Sequence, residues 1–373
     1  MHLELTDDQR LFQDTTRRFI ESELPISAVR SLHDDRLGFD RGWLRRAGEL
    51  GWFAMLVPEV DGGGSISGEG LIDATIVAEE LGRFLQPGPF LAMNVVASAL
   101  AEGGSAQQRA DILPRIVAAE TVATWATVDT AGNWDGGRGV LATHSADGFV
   151  LTGAKGFVQD GQSADLLLVA ATVDGESAQF LIPTSSAGTT VTPLTTLDLS
   201  RRLAEVTFSN VIVPESALVG NVGADAAIER QLQVALVLQC AETIGVIDAM
   251  FTMTVAYSKD RTAFGRPIGS FQSLKHVMAD LAMYIEMSKA GALAAAQAVQ
   301  QRADDAADIV SMVTAFIGDV AIDVSQQSLQ IHGGIGYTWE HDLHLFMRRA
   351  SSNNLLYGDP GWHRERLCAL HGL

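Results

Sequence analysis

The stretch Arg261-Thr262-Ala263-Phe264-Gly265-Arg266-Pro267-Ile268-Gly269-Ser270-Phe271-Gln272 separates two long runs of helical periodicity, and the reading of the whole chain turns on it. It sets two arginines, an aromatic ring and a glutamine around a Gly-Arg-Pro break. Guanidinium groups offer planar, paired donors that match phosphate oxygens, and Phe264 can lie against an adenine or flavin edge. By itself the stretch reads either as a plain helix-loop-helix or as a grip on a pyrophosphate, and its residues leave both readings open.

Working outward, Ala224 to Tyr257 is helical in pattern. Periodicity continues after the break through Gln272 to Arg302 and Ala303 to Ile331, with shorter helices near Glu340 to Ala350 and Trp362 to His371. The N-terminal part, from Thr6 to about Glu120, is helical too. Thr6 with Gln9 forms a capping-box signature, and Leu11, Phe12, Phe19 and Ile20 follow at helical spacing until Pro25. The helices Gly70 to Gln86 and Phe90 to Glu102 end at Pro87-Gly88-Pro89 and Gly103-Gly104. Between about Thr121 and Gly220 short β-rich runs take over, namely Thr121 to Val128, Phe149 to Thr152, Leu166 to Thr172 and Val206 to Val213. The expected fold is α+β and mainly α: an N-terminal helical domain over 1–120, a middle antiparallel, barrel-like β domain over 121–223, and a C-terminal four-helix bundle over 224–373.

Composition narrows the function. With 47% apolar and 19% charged residues in 373, the chain can bury a large core and carries too little charge for disorder. A formal charge of -19 disfavours nucleic acid, which is bound through Lys and Arg, and forces any pyrophosphate site to rely on local arginines and helix N-termini. Cys240 and Cys368 form no CxxC or Cys/His cluster, so neither a disulfide framework nor a metal site is expected. The most apolar helix, Val234 to Phe251, is interrupted by Gln239, Glu242 and Asp248, so no membrane span is expected. Met1 to Phe12 is acidic and lacks the pattern of a secretory signal, which places the chain in the cytoplasm as an expectation. Two glycine-rich stretches lack nucleotide-motif context: Gly333-Gly334-Ile335-Gly336 follows a helix rather than a strand, and Asp61-Gly62-Gly63-Gly64 lacks the lysine of a P-loop.

Taken together, Arg261 to Gln272 and Gln330-Ile331-His332-Gly333-Gly334-Ile335-Gly336-Tyr337 resemble the paired signatures of the acyl-CoA dehydrogenase family. Val57-Pro58-Glu59 with Gly62-Gly63-Gly64 is similar to the family's PE..GG loop, and Glu79-Glu80-Leu81-Gly82-Arg83 to its EELGR helix. The resemblance implies FAD at the junction of three domains, bundles packed into homo- or hetero-tetramers, an acyl-CoA substrate, and an electron-transfer flavoprotein as acceptor. By the same resemblance Arg261 and Phe264 contact the ADP part of FAD, and Gln330, Gly333 and Gly334 reach the FAD of a neighbouring subunit. Gln272, His332, Phe157, Gln159 and Val128 count among the cofactor residues on the same ground.

The sequence departs from the family at the chemistry. A TEPG-like segment is replaced by Thr127-Val128-Asp129-Thr130-Ala131-Gly132, and Gln159 stands where a short hydroxyl residue meets the flavin. Removing an α-proton from a thioester needs a carboxylate with a raised pKa in a dry cleft. Tyr357 falls where many members place that Glu, and Ala235 falls at the alternative position on the first bundle helix. Glu242, two turns beyond Ala235 in an apolar run, is therefore the first candidate base, with a pKa raised by burial, and Asp359 the second. The alternative for Glu242 is a buried ion pair with Arg261 or a neighbouring chain. Two functions follow: a catalytic acyl-CoA dehydrogenase subunit, or a non-catalytic subunit that completes the FAD site of a related partner.

Overall fold

The computed structural model describes residues 5–32, 35, 37–132, 134 and 139–373. Helix α1 (Asp7–Glu23) begins in the reciprocal box its sequence announces: the Gln9 amide donates to Thr6 Oγ1 at 3.2 Å, and the Thr6 amide donates to Gln9 Oε1 at 3.0 Å. Short helices α2 (Ile26–Ser31) and α3 (Arg41–Glu49) follow. Two largely buried helices, α4 (Gly70–Arg83) and α5 (Phe90–Gly103), are split by the Pro87-Gly88-Pro89 breaker, and α6 (Ala106–Val117) is capped by Ser105 and Gln108.

The middle unit is one sheet of seven strands: β1 (Ala123–Ala126), β2 (Val140–Ser145), β3 (Gly148–Gln159), β4 (Leu166–Val173), β5 (Glu176–Pro183), β6 (Thr189–Leu194) and β7 (Leu203–Val213). Its order is β1-β4-β2-β3-β7-β6, with β5 paired to β4. Four pairings are antiparallel, but β1 runs parallel to β4, from Ala123 opposite Leu166 to Ala126 opposite Val169. Leu141 of β2 also bridges Thr172 of β4 in parallel. The expectation of a purely antiparallel unit is corrected here. A parallel neighbour needs a crossover rather than a tight turn, and the β2–β3 hairpin supplies it between β1 and β4.

The C-terminal part holds α7 (Asp225–Asp260), α8 (Gln272–Gln300), α9 (Ala306–His332), α10 (Leu343–Asn353) and α11 (Pro360–Leu370). Helix α7 is the axle of the molecule, packed against α4, α5, α8, α9 and α10. It is apolar and long enough to cross a membrane by composition, yet 83% of its most apolar window is buried within this fold. Two glycines explain how closely α4 lies on it. A Cβ on Gly82 would stand 1.9 Å from the Glu242 carbonyl oxygen, and one on Gly245 would stand 1.9 Å from that of Glu79. Backbone touches backbone at this crossing, which fixes Glu242 at the meeting point of the helical layers.

Candidate functional site

The break between α7 and α8 is a two-residue hairpin. Strands β8 (Thr262–Ala263) and β9 (Arg266–Pro267) are joined by Phe264 and Gly265, both at positive φ (54° and 77°), the mirror-image turn that a tight hairpin favours. Phe264 projects from its tip, 95% exposed, edge-on to Phe271 at 6.2 Å, and the Arg266 guanidinium covers the Phe271 ring at 4.2 Å. Arg261 and Gln272 flank the hairpin and are exposed. These groups face away from their own chain.

The second signature lies beside the first. Tyr257, one turn before Arg261, stacks on His332 at 4.4 Å, and the Arg261 amide donates to the Tyr257 carbonyl. Beyond His332 the backbone turns at Gly333 (φ 64°, ψ -145°), and a Cβ at Gly333 or Gly334 would meet nothing within 4 Å. Glycine there answers no neighbour in this chain. Gln330 is exposed nearby in sequence. His332 is different: its ring is buried between Tyr257 and His341, and Nδ1 is bonded to the Ser328 carbonyl at 2.8 Å. It packs the end of α9, and its Nε2 is buried without a hydrogen-bond partner among the described residues. Open glycine backbone, outward arginine and bare aromatic ring fit an FAD diphosphate and adenine lying between chains.

In the β unit, Phe157 is held at φ 52° and is 41% exposed, with its ring 6.3 Å from that of Trp134. Val128 is buried, and its carbonyl accepts the Gly156 amide at 3.0 Å, laying the Thr127–Asp129 segment beside the Phe157 loop. Lys155 adds a second tie, donating to the Thr127 carbonyl at 2.9 Å, and burial brings its pKa down to about 7. Gln159 turns inward instead, buried, with its amide donating to the Gly88 carbonyl at 3.4 Å. A side chain this long reaches the helical layer.

Where α4, α5 and α7 enclose a cleft, charges fill it. Both oxygens of Glu242 accept from Arg201 Nη2, at 2.8 and 2.7 Å. Arg349 of α10 also donates to Glu242, bonds Asp198 through Nε, and reaches Ser200 Oγ at 2.7 Å. Burial alone would push the Glu242 carboxyl up, but Arg201 and Arg349 outweigh it and hold the group below the ordinary carboxylate range. The expected rise is overturned, and the ion pair weighed against it is found with different partners than Arg261. A carboxylate bound by two guanidiniums is a weak proton acceptor. Space remaining there amounts to about 20 Å3 for a water-sized particle.

The other candidates fare similarly. Asp359 is exposed and caps α11, accepting from the Trp362 amide at 2.7 Å, which corrects its expected place as a base in a dry cleft. Tyr357 is buried at φ 61°, stacked on Trp125 at 5.9 Å and edge-on to Trp134 at 5.2 Å, and burial pushes its phenol above the usual range. Arg201, Arg349, Asp198 and the buried Asp160 are the residues sequence reasoning missed. Arg201 lies 41 positions from Glu242 and Arg349 lies 107, so no local spacing pairs them.

Comparison with known proteins decides the family. The acyl-CoA dehydrogenase N-terminal domain matches residues 6–120, and the acyl-CoA dehydrogenase C-terminal domain matches residues 221–369. This chain belongs to the acyl-CoA dehydrogenase family, oxidoreductases that work with FAD. Acyl-CoA dehydrogenase IpdE2 of Mycolicibacterium smegmatis is 32% identical over 364 residues, 97% of this chain and 98% of its own. Acyl-CoA dehydrogenase FadE34 of Mycobacterium tuberculosis is 30% identical over 98% of this chain, which spans only 48% of FadE34. Among solved structures, a variant of the Tcur3481-Tcur3483 steroid ACAD superposes with a TM-score of 0.89 at 26% identity, covering 98% of both chains.

Proposed function

We propose that this chain is the flavin-completing subunit of a heteromeric acyl-CoA dehydrogenase, acting on a bulky acyl-CoA such as a steroid side-chain thioester. Electrons leave to an electron-transfer flavoprotein. The observation that carries this reading is the filled cleft: Glu242 is locked between Arg201 and Arg349, so both oxygens of the candidate base are already occupied. Bound FAD would supply the acceptor for the hydride from the β carbon. This chain's part is to grip and orient the nucleotide. Arg261 and Phe264 would hold the diphosphate and a ring of the nucleotide, and the bare backbone at Gly333 and Gly334 beside Gln330 would leave room for it.

Two comparisons support a paired assembly. The match to FadE34 leaves about half of that protein for a second unit of similar size, and the steroid ACAD carries a two-component name. The test is to purify the chain alone and together with a co-expressed family partner, and to count FAD per subunit from flavin absorbance. We expect little FAD on the chain alone and one FAD per pair in the complex. One tightly held FAD per chain in isolation, reducible by an acyl-CoA, would overturn the proposal.

A further inference from the structure

Three buried polar atoms beside the charge cluster have no hydrogen-bond partner among the described residues: Oδ2 of Asp160, Nη1 of Arg201 and Oε1 of Gln86. None of these residues is more than 4% exposed, and all three line the same cavity. They come from different parts of the fold. Gln86 follows α4, Asp160 directly follows β3 and its Phe157 loop, and Arg201 precedes β7. Leaving a buried donor or acceptor without a partner is costly, and three of them line one cavity.

A cavity of about 20 Å3 is large enough for water. Its hydrogen-bonding pattern agrees: Arg201 Nη1 can only donate, and Gln86 Oε1 can only accept, so the occupant must do both. Asp160 completes the set. Burial pushes its carboxyl up to about 7 against the pull of Arg201, Arg202 and Arg349, so at neutral pH a large share of molecules carry a proton there. Glu242 and Tyr357 adjoin the same cluster, and Asp198 is paired to Arg349.

We infer that this cavity binds one water molecule through Asp160, Arg201 and Gln86, and that the water latches the end of the flavin-facing strand to the helical layer. Asp160 sits at φ 50° and its amide donates to the Arg202 carbonyl at 2.9 Å. A left-handed residue other than glycine persists only where its surroundings hold it, and Phe157, three positions earlier, is held the same way at φ 52°. Asp160 can take part in either protonation state, accepting from the water when ionised and donating to it when protonated. Its folded pKa lies above the ordinary value of 3.8, so the stability it adds is complete at low pH and is lost as pH rises towards about 7.

The experiment uses the assembled flavoprotein. A crystal structure fine enough to place waters, grown below neutral pH, should contain one solvent peak within hydrogen-bond distance of all three atoms, and Gln86→Leu should remove it. Thermal unfolding of the unaltered protein should shift to lower temperature as pH rises from about 4 to about 7. In Asp160→Asn, which is nearly the same size and cannot ionise, that slope should largely disappear. Absence of the peak, an ion in its place, or an unchanged slope in Asp160→Asn would each overturn the inference. The peak and the slope are both read on the unaltered protein, so a variant that fails to fold leaves the test intact.

Discussion

Glu242 shows how one residue changes meaning with its neighbours. Alone in an apolar helix, a carboxylate is costly and invites a catalytic role, because burial raises its pKa towards a useful value. Two arginines reverse the sign: the group stays ionised, and its oxygens are occupied. Removing its charge strands the buried Arg201 guanidinium, while Arg349 keeps Asp198, and breaking a buried pair in this way costs about 3–5 kcal/mol. Glu242→Gln should therefore lower the urea midpoint of the subunit clearly, while the assembled complex still has its flavin reduced by acyl-CoA within a few-fold of the normal rate. Normal FAD content with no reduction would restore Glu242 as the base. The acid side gives a companion sign. The pKa values of Glu242 and Asp198 are both held below the ordinary carboxylate range, so their contribution is present above about pH 4 and is lost as pH falls below it.

Among the elements, two pairs of glycines separate packing from function. Gly82 and Gly245 sit where α4 meets α7, and a methyl group at either would stand 1.9 Å from a carbonyl oxygen. Gly82→Ala or Gly245→Ala must push two helices apart and should cost several kcal/mol, on the order of an overpacked core or more. Gly334 faces open space, so Gly334→Ala should leave the unfolding temperature unchanged and lower FAD occupancy of the assembly instead. Equal effects on stability at the two places would contradict the assignment of Gly334 to a ligand. The contrast also explains what could be read from sequence. Capping residues, proline breaks and helical spacing are local, so α1, α4, α5 and the long bundle helices were legible within a few residues. Strands β2, β5 and β6 were not, although β2 and β5 pair with their chain neighbours through tight turns, and the parallel step between β1 and β4 joins residues far apart in the chain. The signature loops were legible as motifs, yet His332 and Gln159 turned inward. A motif gives the residue type but not the direction in which tertiary contacts aim it.

For the molecule as a whole, charge argues about company. The groups assigned to flavin binding, Arg261, Phe264, Gln330 and Gly334, all face outward, and Met283 and Met287 of α8 are about half exposed as well. Such a surface calls for a second chain to cover it. Copies of this chain each carry a formal charge of -19, and bringing them together opposes their fields, whereas a less acidic partner meets no such penalty. Salt distinguishes these cases because added ions weaken attraction and repulsion alike. At about 0.15 M the screening length is about 8 Å, and raising salt well above that shortens it further. Self-association of the isolated chain, followed by sedimentation, should therefore strengthen with salt. Association with the flavin-sharing partner should hold steady or weaken, and FAD release should follow it. If the two associations respond to salt in the same direction, charge does not select the partner, and the choice must lie in the shape of the apolar surface along α8.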